Sequence, residues 1–138
     1  MPARGFTLTE LVIILVLVGV MAVFVLPRLN VTGFQQEIFA DEVLNAVRHA
    51  RKVALYAGCP VRVTAAGNRV SAVYTGDGGC AAAPLPHPSR GGDLVLDGTI
   101  TSGATVEFDA RGRSGGGTIT TASGDVIIIE PGSGYVHR

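Results

Sequence analysis

Charge of one sign is missing as an excess: 11 Lys and Arg stand against 11 Asp and Glu, a formal net charge of zero over 138 residues. A chain so balanced is no general nucleic-acid binder, and any such activity needs a local patch. Cysteine is scarce too. Cys59 and Cys80 are the two present, and their spacing fits neither a zinc site nor a redox CxxC pair. His49, His87 and His137 lack a cysteine, histidine or carboxylate at metal-ligand spacing. Ser114, in Arg113-Ser114-Gly115-Gly116-Gly117, lacks the strand-then-helix context of a nucleophile elbow. The same glycine run lacks the Lys-Ser/Thr that closes a phosphate loop. No enzyme activity, cofactor or metal is expected, and no internal repeat is visible.

What the chain does have is a long apolar run. Phe6 to Leu26 contains one charge, Glu10, near its start. A helix needs about 20 apolar residues to cross a bilayer, and this stretch qualifies. A secretory signal peptide would have a shorter apolar stretch, about 7–15 residues, and a small-x-small site after it. Pro27-Arg28-Leu29 supplies no such site. Arg4 on the short N-terminal side predicts that the N-terminus stays inside and the remainder faces the periplasm. An unpaired carboxylate costs roughly 3 kcal/mol at mid-membrane and less near the interface, so Glu10 calls for a partner. Snorkelling to the interface is the ordinary alternative.

Arg4-Gly5-Phe6-Thr7-Leu8-Thr9-Glu10-Leu11, with Pro27 downstream, resembles the leader and N-terminal helix of type IV pilins and type II secretion pseudopilins. The resemblance implies that a prepilin peptidase cuts after Gly5 and that Phe6 becomes the methylated N-terminus. It implies that Glu10 neutralises the terminal amine of a neighbouring subunit during assembly. In lipid, such a pair replaces lost hydration where apolar contact gives little drive. The expected partners are prepilin peptidase, other pilin or pseudopilin subunits and an inner-membrane assembly platform. Gly19 and Pro27 both weaken a helix, so a bend is expected between them.

The expected fold is α+β and pilin-like: a long N-terminal membrane-spanning helix packed on a C-terminal antiparallel β-sheet domain. Residues 1–5 would be the leader, 6–29 the transmembrane and filament-core helix, 30–58 its amphipathic continuation, and 59–138 a periplasmic β-rich domain. From Phe34 to Tyr56, Phe39, Val43, Val47, Ala50, Val53 or Ala54, and Ala57 recur at helical spacing and mark one apolar face. Glu37, Asp41, Glu42, Asn45, Arg48, Arg51 and Lys52 cover the other side. Gly58 and Pro60 stop the helix. Strands are expected at Val61–Thr64 and Arg69–Tyr74, forming a hairpin, then at Asp93–Leu96, Ala104–Phe108, Gly117–Thr121 and Asp125–Glu130. Val126–Ile129, the most apolar, should be central. Gly76–Gly92, rich in proline, reads as an ordered loop. In an exported domain Cys59 and Cys80 read as a disulfide, stabilising by roughly 3 kcal/mol through loop closure.

The layout is also similar to minor subunits of the GspH/FimT class and of mannose-sensitive haemagglutinin (MSHA) type pili, in Ala54–Val61 and the closing Gly134-Tyr135-Val136. Such subunits are thought to prime or cap a filament, whether a type IV pilus or a secretion pseudopilus. A second reading rests on Arg111-Gly112-Arg113, with Arg90 and Arg138 as further candidates. As a mobile basic loop at a filament tip it would hold DNA phosphates, as certain FimT-like proteins are believed to do, or capture an exported substrate. Glu107 and Asp109 close by favour a plain charged turn.

Overall fold

The computed structural model describes residues 5–25 and 31–138. The chain divides into two compact units, Met1–Thr32 and Gly33–Arg138. In the first, helix α1 runs Leu8–Val25. It continues through Gly19 without interruption; Pro27, the other half of the expected bend, lies outside the described residues. Among the described residues no helix is long and apolar enough to cross a membrane. Of the expected span of residues 6–29, Leu8–Val25 is an apolar helix, and residues 26–29 lie outside the described residues.

The second unit is α+β, as the pattern of periods required. Helix α2 spans Val31–Ala57. Phe39, Val43, Val47, Ala50 and Ala54 are buried, joined by Ala40 and Ala46. Val53 is only partly buried and Ala57 is exposed, because the helix ends there at Gly58, whose φ is +66°.

Nine short strands follow: β1 (Val61–Ala66), β2 (Arg69–Tyr74), β3 (Ala83–Pro84), β4 (Val95–Asp97), β5 (Ile100–Ser102), β6 (Thr105–Phe108), β7 (Gly117–Thr121), β8 (Val126–Ile129) and β9 (Val136–His137). All pairings are antiparallel. One sheet has the order β3-β2-β1-β6, with β4 also pairing β2; the other has the order β5-β7-β8-β9. The expected hairpin is there, but Ala65 and Ala66 extend β1, leaving a turn of Gly67 and Asn68 between Ala66↔Arg69. β8 is an interior strand, between β7 and β9. The Pro-rich loop is not wholly irregular: Val73 pairs with Pro84 and Tyr74 with Ala83. Proline is tolerated there because β3 is an edge and needs few donors.

Alternate residues of these strands point inward. Val61 and Val63 (β1), Val70 and Ala72 (β2), Val106 and Phe108 (β6), Ile119 (β7), Ile127 and Ile129 (β8) join the α2 face in one core. Each large side chain buried this way contributes about 1.5–3 kcal/mol. The Asp97-Gly98 turn lies against that helix face: a Cβ at Gly98 would fall 2.4 Å from the Phe39 ring. Cys59 and Cys80 form the expected disulfide, with Cα atoms 5.9 Å apart. It ties the end of α2 to the loop that carries β3. A Cys59→Ser/Cys80→Ser variant should lose about 3 kcal/mol of stability in a denaturant titration, and an unchanged midpoint would count against a structural role.

Candidate functional site

In the first unit the features of interest sit at the start of α1. Thr7 is its N-cap: the Glu10 amide donates to the Thr7 carbonyl at 3.1 Å and to its Oγ1 at 3.3 Å. Thr7-Leu8-Thr9-Glu10 has the spacing of a capping box, a Thr-x-x-Glu signal that the reading of Glu10 as a lone charge passed over. The reciprocal half is missing, because the Glu10 carboxylate accepts no hydrogen bond and forms no ion pair among the described residues. It is exposed and free for a partner. Phe6, Leu8, Leu11 and Ile13 are all more than half exposed, and Val12, Ile14 and the large apolar residues from Leu15 to Met21 are exposed too. A helix apolar on every side is one built for lipid or for a bundle core.

In the second unit the Arg111-Gly112-Arg113 motif lies on the turn between β6 and β7. It is not a loose loop. Asp109 Oδ1 accepts from the Arg111 amide at 2.9 Å and from the Arg113 amide at 2.8 Å. Its Oδ2 accepts from Arg113 Nε at 2.9 Å, and the Gly112 amide donates to the Asp109 carbonyl at 2.8 Å. These bonds, the Arg113 amide foremost, hold the Asp109 carboxyl below the usual carboxylate range. The neighbouring Glu107 pairs with Arg62 at 3.0 Å.

The expected quartet of arginines does not come together. Arg138 pairs with Asp41 at 2.9 Å and approaches Asp125 at 3.5 Å, and Arg90 pairs with Glu42. Both therefore sit by the early turns of α2. The arginine turn lies by its last turns, where a Cβ at Gly112 would come within 2.7 Å of Leu55 Cγ. From residue 41 to 55 the helix rises about 21 Å. Arg111 alone of the quartet has no carboxylate partner among the described residues.

The residue that organises this end was assigned only to a solvated face. Arg51 Nε donates to the Gly112 carbonyl at 3.1 Å, and its Nη2 to the Ser133 carbonyl at 3.0 Å. One guanidinium on α2 thus ties both the arginine turn and the turn before β9. Arg48 Nε reaches the Val136 carbonyl at 3.2 Å in the same way. Nothing local in the sequence marks these roles, since the partners are backbone atoms 61, 82 and 88 residues away. Arg51→Met should cost about 2 kcal/mol, because two carbonyls lose a charged donor. A thermal melt equal to wild type would show that the two bonds contribute nothing.

Several of the other polar groups have structural work. Ser114 is 8% exposed and its hydroxyl accepts from the Gly116 amide. His87 Nδ1 accepts from the Ser89 and Arg90 amides, capping a turn. His137 stacks on Tyr135, with ring centroids 5.5 Å apart. An open groove of about 500 Å³ is lined by Pro60, Asp77, Glu107, Asp109, Arg113 and Ser114 among others. Among the described residues no group of three His, Cys, Asp or Glu could hold a metal.

The globular unit matches the family model of the type II transport protein GspH over residues 40–136. No curated protein and no solved structure matches the chain.

Proposed function

The chain belongs to the GspH family of type II transport proteins, and on that footing we propose that it is a minor pseudopilin that primes or caps its filament. A pseudopilin of type II secretion is a structural subunit, and its partners include other pseudopilins. In the proposed sequence of events, prepilin peptidase removes residues 1–5 and the new Phe6 amine is methylated. α1, with the apolar residues flanking it, anchors the chain in the inner membrane beside the assembly platform. The domain from Gly33 onward then faces the periplasm. On extraction into the filament, Glu10 neutralises the terminal amine of a neighbour.

One observation carries this reading. The cleavage and assembly motif occupies residues 5–10, whereas the family match begins at residue 40. The two share no residue and point to the same class of protein. An anchored enzyme would have no need of the first.

The test is crosslinking in the native membrane, affinity purification and mass spectrometry. A mature N-terminus at Phe6, methylated, recovered with pseudopilins and a secretin, is the expected result. Recovery with pilus subunits and a retraction motor would move the chain to a type IV pilus. An uncut N-terminus with no filament subunit would overturn the reading.

A further inference from the structure

The ion pairs of the globular unit leave its positive charge unevenly spent. Arg62, Arg69, Arg90, Arg113 and Arg138 each meet a carboxylate. Arg48, Arg51, Lys52 and Arg111 meet none among the described residues. These last are neighbours. Arg48, Arg51 and Lys52 line one cavity of about 170 Å³ with Leu55, Tyr135 and Val136. Arg111 adjoins Gly112, whose carbonyl Arg51 holds and which packs on Leu55. Leu55 is 46% exposed and Tyr135 55% exposed, so apolar surface lies open between the cations.

We propose that this face, the last turns of α2 with the arginine turn and Tyr135, docks an acidic, apolar-containing segment of another polypeptide. Arginines without a carboxylate beside an exposed tyrosine are the residue types enriched at protein-binding surfaces. Charge complementarity selects carboxylates, and the apolar floor selects a side chain placed between them. A long polyanion fits less well. The unit beyond Leu29 has no positive excess to hold one, and the cavity admits a side chain rather than a strand of phosphates.

Lys52 and Arg111 make no side-chain hydrogen bond among the described residues, whereas Arg48 and Arg51 hold backbone carbonyls. Lys52→Glu/Arg111→Glu therefore reverses the charge without touching the fold, which circular dichroism verifies. The full chain in detergent micelles is titrated with an acetylated Glu-Leu-Glu-Glu peptide, its Lys-Leu-Lys-Lys counterpart and a short single-stranded oligonucleotide. The acidic peptide should bind, and the double variant should bind it about tenfold more weakly or worse. Arg69→Glu, outside the face, should bind as wild type does. Undiminished binding by the double variant, equal binding of the basic peptide, or tighter binding of the oligonucleotide would each overturn the proposal. The face would bind the probe whether or not the chain enters a filament, so failure here leaves the filament reading standing.

Discussion

In a Glu10→Ala variant the leader should be cut as in wild type, but the mature subunit should fail to enter the filament. The loss does not come from the helix. Alanine is the better helix former, and the Thr7 cap that starts α1 uses the Glu10 backbone amide, which the variant keeps. What disappears is the carboxylate, which has no partner within its own described unit. Removing one member of a buried ion pair strands the other, at about 3–5 kcal/mol. That is about a hundredfold or more in incorporation, at 1.4 kcal/mol per tenfold. Two quantities read it: the mass of the mature N-terminus, and the fraction of subunit recovered with crosslinked filament. If Glu10 merely snorkels to the interface, the variant is cut and incorporated normally, and the proposed role fails.

Gly134→Ala should be among the most damaging single-methyl additions in the globular unit. Gly134 has φ +63°, a left-handed conformation that costs a side chain about 1–2 kcal/mol. A Cβ there would also lie 2.2 Å from the Gly112 carbonyl oxygen and 3.3 Å from the Phe108 ring. That oxygen is backbone and is already held by Arg51, so it cannot step aside. The two effects together should exceed about 3 kcal/mol, a large share of a stability of about 5–15. The melting temperature of the full chain in detergent should fall by about 12 °C or more. Gly132 provides the control. Its φ is +78°, but a Cβ there meets nothing within 4 Å, so Gly132→Ala should cost only the backbone strain. Equal losses at both positions would show that the approach of the two turns is unimportant.

The two variants probe opposite kinds of information. Glu10 and its neighbours could be read directly, since a charge in an apolar run is an anomaly of local sequence. The α2 face was equally legible, because Phe39, Val43, Val47, Ala50 and Ala54 repeat with the helix itself. Strands β3, β5 and β9 could not be found that way. At two or three residues each they carry no period, and they are extended only because a longer strand pairs with them. The arginine turn was visible as a motif, but its state was not. Asp109 lies two and four residues from the arginines it organises, yet nothing in the sequence distinguishes a capped turn from a free loop.

By itself the sequence determined that this chain has an apolar N-terminal helix with a carboxylate at its start. It likewise determined a second helix with one buried face, an antiparallel β domain and a cysteine pair. Each of these rests on periodicity, on composition or on an isolated anomaly, which neighbouring residues suffice to display. Only the tertiary structure decided which cations remain unneutralised. Arg90, Arg113 and Arg138 find carboxylates, while Arg48, Arg51, Lys52 and Arg111 gather without any among the described residues. Charge pairing depends on distances of about 4 Å between groups that can lie 97 residues apart. Those distances exist only once the strands have brought β9 and the arginine turn against α2.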